Sequence, residues 1–222
     1  MTHDVLQVYA TKDQRGECRR AGGLRLSRPW LVVLALTMMG LGLAFAGHGL
    51  FMRAKAALAQ VLLERAWQTT MTTGLPTKAW RWADTHPVAK ISFPSLGRSA
   101  IVLEEAGGEA LAFGPAHVAA SPLPGEIGTS VIGGHRDTHF NFIKDLKPGD
   151  EIDITTKRGK AVRYRMVGSA IVHPQSSGIS IVANRPRLAL VTCYPFEGIE
   201  RSTLRYVVFA EAVSAGLGSG KF

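Results

Sequence analysis

The chain of 222 residues carries 26 Lys and Arg against 17 Asp and Glu, a formal net charge of +9, with 46% hydrophobic and 19% charged residues. That balance excludes an intrinsically disordered chain and leaves room for one ordinary domain with appendages. Basic residues beyond the N-terminal region are scattered and aromatic content is 8%, so neither a stacking platform nor a basic stripe argues for nucleic acid.

Residues 1–29 hold Lys12, Arg15, Arg19, Arg20, Arg25 and Arg28 against Asp4, Asp13 and Glu17, and read as a basic cytoplasmic tail broken at Gly22-Gly23. Residues 30–52, WLVVLALTMMGLGLAFAGHGLFM, contain no Asp, Glu, Lys or Arg. A stretch of that length spans a hydrocarbon core of about 30 Å, and the basic residues before it favour a cytoplasmic N-terminus with the remainder exported. Membrane lipid is therefore an expected partner of residues 30–52. Ala44-Phe45-Ala46 also fits a signal-peptide cleavage site, but the preceding basic region is long for one, and an uncleaved signal anchor is the reading taken. Cys18 and Cys193 then lie in different compartments, which leaves Cys193 as an unpaired thiol in an exported domain.

Residues 53–87 read as a juxtamembrane helix and linker. Ala54–Met71 has helical composition, with Ala57, Leu58, Val61, Leu62, Ala66 and Trp67 as its apolar stripe, and Gly74-Leu75-Pro76 stops it. From residue 88 to 213 the pattern is that of short strands punctuated by Gly and Pro. Strands are expected near Val88–Phe93, Ala100–Glu105, Thr129–Gly133, Glu151–Thr155, Val162–Val172, Gly178–Val182, Arg187–Cys193 and Leu204–Ala212, with a short helix within His139–Leu146. Eight strands in this length predict a mostly β fold, a closed barrel or a sandwich. Residues 214–222 read as a flexible C-terminal tail.

The chemistry-bearing residues sit at strand ends. Cys193 closes the apolar run Leu188–Cys193, Arg205 opens the run Arg205–Ala210, and His135 follows the pair Gly133-Gly134. A thiolate is a strong nucleophile, an imidazole moves protons at neutral pH, and a guanidinium holds negative charge on an oxyanion. Together they predict an acyl-transfer enzyme. Arg suits the last task because it stays charged and offers a fork of donors. His139, four residues after His135, and Asp137 between them are candidates for supporting roles. His135, His139 and Cys193 also sketch a zinc site, but no fourth ligand or Cys-x-x-Cys accompanies them, so neither metal nor cofactor is expected. His86, His117 and His173 have no partner legible in the sequence.

Leu190-Val191-Thr192-Cys193, Gly134-His135 and Leu204-Arg205-Tyr206-Val207-Val208, in this order, resemble the sortase family of cysteine transpeptidases over roughly Val88 to Val213. The strings Gly-His-Arg-Asp-Thr-His-Phe (134–140) and Thr-Cys-Tyr-Pro-Phe (192–196) resemble its Gram-negative, proteobacterial branch, as do Trp82-Ala83-Asp84 and Leu111-Ala112-Phe113-Gly114-Pro115. Ala189 stands where many sortases have Thr. The resemblance implies an eight-stranded sortase-type β-barrel preceded by a transmembrane and a juxtamembrane helix. It implies single-pass anchoring in the inner membrane with a periplasmic catalytic domain. Cys193, His135 and Arg205 would be catalytic. Cys193 would attack the carbonyl after Thr in an Leu-Pro-x-Thr-Gly-like C-terminal sorting signal of a secreted protein, and the thioacyl would pass to an amine acceptor that the sequence does not name. Thr192 would add a hydroxyl donor near the oxyanion. Two alternatives stand beside this reading: another exported thiol peptidase or cell-wall transpeptidase, and a non-catalytic membrane-anchored module in which Cys193 is a buried hydrophobe.

Overall fold

A computed structural model describes residues 28–105, 107–197 and 202–213. Cys18, Gly198, most of the expected basic tail and all of residues 214–222 lie outside the described residues. The chain divides into two compact units, Met1–Leu50 and Phe51–Phe222.

One helix, α1 (Arg28–Thr73), runs where a transmembrane segment and a separate juxtamembrane helix were expected. Nothing near Arg53 interrupts it, because Arg is a good helix former and neither Gly nor Pro stands there. Its N-terminal part is long and apolar enough to cross a membrane, with a mean hydropathy of 2.0 over its most apolar window and none of that window buried.

In the second unit the helix packs on the barrel, and its buried face is rotated from the expected stripe. Ala59, Leu63, Ala66, Trp67 and Thr70 are buried, whereas Leu58 and Val61 are exposed. Leu63 and Trp67 join Ile101, Leu103, Ala110 and Ala116 in one apolar cluster. Each large side chain so buried contributes roughly 1.5–3 kcal/mol. Lys90 Nζ donates to Glu64 Oε1 at 2.9 Å across the same contact. Gly74 ends the helix at φ +72°, donating its N–H to the Thr70 carbonyl at 2.9 Å.

Eight strands form the barrel: β1 (Pro87–Phe93), β2 (Arg98–Leu103), β3 (Ala116–His117), β4 (Gly128–Gly133), β5 (Glu151–Thr156), β6 (Ala161–Val172), β7 (Pro186–Cys193) and β8 (Arg205–Ala212). They close in the order β1-β2-β3-β4-β7-β8-β6-β5. All pairs are antiparallel except β2–β3 and β4–β7. A short helix, α2 (Gly108–Phe113), joins β2 to β3, and the short helix expected within His139–Leu146 is a 3-10 helix at Asn141–Asp145.

The interior follows strand alternation. Ile91, Ile132, Ile152, Ile154, Tyr164, Leu188, Leu190 and Val208 fill it together with Phe140 from the turn after β4. On β6, Tyr164 and Met166 face inward, while Arg163 meets Asp153 and Glu151, and Arg165 meets Glu151, on the outer side.

The eight strands differ from the expected set at one place. Gly178–Val182 forms no barrel strand. Gly178 adopts φ +67°, the loop holds to β4 by the Thr129 N–H bond to the Ile181 carbonyl at 3.0 Å, and Ile179 is spent covering the outer face. The eighth strand is β3, two residues too short to carry a periodic signal. Its His117, without a partner legible in the sequence, is buried, with Nε2 3.0 Å from the Pro122 carbonyl and 3.1 Å from Ser121 Oγ.

Tyr164 is fully buried, and its phenol oxygen accepts the Gly125 N–H at 2.7 Å. Burial pushes its pKa up to about 12 from 10.0. The raised value means that the folded state keeps a proton the unfolded state releases. This contribution is intact below pH 10 and is lost as pH rises toward 12. Chemical denaturation across that range should show Tyr164→Phe losing less stability per pH unit than the parent. At neutral pH the same change should cost about 1–3 kcal/mol, because it strands the Gly125 donor.

Candidate active site

Strand parity gathers the three expected reactive residues on one face. Along β7, Leu188, Leu190 and Thr192 are buried, the two leucines in the barrel core, whereas Ala189 packs in a second cluster with Val131 and Val207 on the outside. Period-2 alternation therefore puts Cys193 on the outer face. Cys193 pairs directly with Arg205 in the antiparallel β7–β8 ladder, and directly opposed residues share a face with Cβ atoms about 4.5–5.5 Å apart. His135 belongs to the same face. Val131 points outward, and a Cβ on Gly134 would meet the core ring of Phe140 at 2.7 Å, so residue 134 points inward and 135 outward.

The parallel β4–β7 pair sets the height at which these residues meet. Its register matches Gly133 with Val191. The contact continues past the strand end, because Gly134 N–H donates to the Val191 carbonyl at 3.0 Å and Thr192 Oγ1 donates to the Gly134 carbonyl at 2.7 Å. Two residues further along the β4 exit, Arg136 donates to the Pro195 carbonyl. The exits of β4 and β7 are thus clamped on both sides of His135, which leaves its strand beside Cys193. Below the loop, Phe140 plugs the barrel and its N–H returns to the His135 carbonyl at 2.9 Å.

Cys193 is a free, half-buried thiol, His135 is exposed, and Arg205 is half-buried. The Arg205 guanidinium curls over its own turn, donating to the carbonyls of Thr203 at 3.2 Å and Leu204 at 2.9 Å. The Tyr194 N–H bond to the Leu204 carbonyl at 3.1 Å adds one rung beyond the Cys193–Arg205 pair. Phe196 stacks edge-on against Tyr206 at 5.2 Å, with Lys144 Nζ 5.6 Å from the Phe196 ring centre. These contacts give the loop after Cys193 a fixed base.

Thr192 corrects an expectation. Its side chain is buried and its hydroxyl proton is committed to Gly134, so it holds the β4 exit rather than offering a donor to a substrate oxygen. Asp137 is exposed and His139 half-buried. Burial pushes His139 below the usual histidine range, a hydrogen bond to the Ala112 carbonyl and the charge of Asp137 oppose that, and His135 reinforces it. No group of three or more His, Cys, Asp or Glu is placed to hold a metal among the described residues. The contributions of Arg136 and Phe140 were not anticipated. The glycine at 134 followed six residues later by an aromatic was the available signal for the second.

The family model described as Sortase domain matches residues 91–213. Sortase D of Bacillus subtilis (strain 168) is 28% identical over 125 residues, 56% of this chain and 63% of that protein, so the chain spans less than two thirds of this relative's length. Among solved structures, sortase C-1 from Actinomyces oris is 27% identical with a TM-score of 0.52, covering 57% of this chain and 72% of its own. A Clostridium perfringens sortase D5 transpeptidase has a TM-score of 0.57 at 22% identity, covering 71% and 99%, a likeness of fold. With more than half of its length matched by the family model and the same barrel underneath, the chain belongs to the sortase family.

Proposed function

We propose that this chain is a membrane-anchored cysteine transpeptidase acting on a C-terminal sorting signal of an exported protein. The observation that carries the reading is the direct cross-strand pairing of Cys193 with Arg205 on the face to which the β4 exit delivers His135. In the proposed reaction the Cys193 thiolate attacks the carbonyl after Thr in a Leu-Pro-x-Thr-Gly-like signal. The oxyanion is held by Arg205, which exchanges its backbone carbonyl partners for the substrate oxygen. His135 protonates the departing amine as the C–N bond breaks, leaving a thioester on Sγ. An amine acceptor then gives its proton to His135 and attacks the thioester, which releases the protein joined to the acceptor and restores the Cys193 thiolate beside a protonated His135.

The domain scheme goes with this reading: a basic cytoplasmic tail (1–29), a signal anchor (30–52), a helical linker (53–87), the catalytic domain (88–213) and a C-terminal tail (214–222). The basic residues before the apolar stretch support an inward N-terminus. The relatives found are Gram-positive sortases. Assignment to the Gram-negative branch, with an inner-membrane anchor and a periplasmic site, rests on the strings at 134–140 and 192–196.

Turnover of Leu-Pro-x-Thr-Gly-type peptides with a small amine acceptor, followed by chromatography, tests the assignment. Cys193→Ala should abolish both cleavage and transfer, and retained transpeptidation would sink the reading. Arg205→Lys keeps the charge but loses the fork, and should lower kcat/KM by roughly 10²–10³-fold, the scale of removing one oxyanion donor. A near-normal rate for Arg205→Lys would take that role away.

A further inference from the structure

The second unit carries an apolar groove outside the reactive face. It encloses about 450 Å³ and is lined by Lys55, Leu58, Leu62, Trp80, Trp82 and Phe113. Lys55, Leu58 and Leu62 follow one another at helical spacing and so lie along one side of α1. Trp80 is held in place: its ring meets Phe113 edge-on at 4.7 Å and packs on the cluster that contains Leu63 and Trp67. Trp82 lacks that cover. It stands 77% exposed, and Leu58 in the same groove is 58% exposed. Two large apolar side chains open to water in one groove mark a surface that something else covers.

Two observations say what the cover is. The first is the place of the groove along the chain. Met52 ends the apolar run 30–52, and Leu58 follows six residues later in the same unbroken helix. At about 1.5 Å per residue, Leu58 lies about 9 Å along the axis from Met52. The headgroup layer of a bilayer is about 5–8 Å deep, and any tilt of the helix shortens the step. The groove therefore begins where hydrocarbon gives way to headgroups. The second observation is charge. Residues 53–84 carry Arg53, Lys55, Arg65, Lys78 and Arg81 against Glu64 and Asp84. Glu64 is engaged by Lys90 at 2.9 Å, whereas Arg53, Lys55, Lys78 and Arg81 are exposed. Lys55 lines the groove itself, and Arg81 stands between the two tryptophans in sequence. Indole rings and long basic side chains together suit the layer in which acyl chains meet anionic headgroups.

We propose that this groove is a lipid-contact surface, in which Trp82 and Leu58 enter the headgroup layer of an anionic bilayer while Arg53, Lys55 and Arg81 meet its phosphates. The proposal deepens the membrane-anchored reading and rests on it. Phe113 belongs to α2 within the barrel domain, so lipid seated in the groove touches that domain as well as the linker. The linker then works as a foot on the membrane surface and not only as a tether.

The test uses the whole chain reconstituted in phosphatidylcholine vesicles with brominated acyl chains, with and without phosphatidylglycerol. Emission from Trp82 is taken as the parent signal minus that of Trp82→Phe, and a thermal melt checks the fold of each variant. Trp82 should be quenched by the brominated chains and shielded from aqueous iodide, more strongly with phosphatidylglycerol present. Combining Arg53→Gln, Lys55→Gln and Arg81→Gln should lower the ratio of covered to open Trp82 in the anionic vesicles by at least about tenfold, each basic residue counting for about fivefold. Added salt should act in the same direction. If the triple variant does not fold, Lys55→Gln alone decides, with an expected loss of about fivefold. A chain that stays inserted while Trp82 remains unquenched and open to iodide overturns the proposal, as does quenching that the charge substitutions leave unchanged. Shielding from iodide without bromine quenching, growing with the protein-to-lipid ratio, overturns it in favour of a second copy of this chain. A parent chain that alkaline carbonate strips from the vesicles overturns the anchor reading itself, and the proposal with it.

Discussion

The arrangement of the reactive residues depends on the parallel contact between β4 and β7, carried past the strand ends by the Thr192 hydroxyl on the Gly134 carbonyl. Cys193 and Arg205 meet through an antiparallel ladder between chain neighbours, which a short loop delivers at little entropic cost. His135 comes from 58 residues earlier, and only a non-local pairing can bring it to the same height. A buried hydrogen bond of this kind contributes about 1 kcal/mol to stability. Its larger effect is geometric, because a parallel pair displaced by one residue would turn the β4 exit to the other face.

The rest of the barrel serves that contact. Phe140 fills the core beneath Gly134, so the glycine is required by close approach rather than by any unusual backbone angle. The outer face beside Cys193 is kept apolar by Val131, Ala189 and Val207 and covered by Ile179. In the proposed reaction, a polar floor there would compete with Arg205 for the oxyanion and admit water to the thioester. The N-terminal helix packs on the barrel through Leu63 and Trp67, which explains why a stretch beyond the apolar span remains helical and buries one stripe.

Much of this was legible in the sequence because the strands obey period-2 patterning and the reactive residues sit at strand ends. Seven of the eight expected strands are present within a few residues of their expected bounds. The exception, Gly178–Val182, has strand composition, but Gly178 takes a left-handed conformation and the segment spends its apolar residues as a cover. β3 escaped notice because two residues show no period. Of the expected helix stripe Ala66 and Trp67 are buried, but its first half was misplaced, because Ala57, Leu58, Val61 and Leu62 satisfy the same spacing as Ala59 and Leu63, and spacing alone does not say which side meets the barrel. In the candidate site, residue types and order singled out Cys193, Arg205 and His135, which strand parity places on one face. The commitment of Thr192 to Gly134 was hidden because it depends on the register of two strands distant in sequence.

The central claim is that Cys193 forms a thioester at the place where these three elements meet. Intact-mass spectrometry of the protein incubated with a panel of Leu-Pro-x-Thr-x peptides, followed by peptide mapping, tests it most directly. The account predicts a covalent adduct equal to the fragment ending at Thr, located on Cys193 and absent from Cys193→Ala. Peptide cleavage proceeding without any adduct on Cys193, or an adduct that persists in Cys193→Ala, would contradict it.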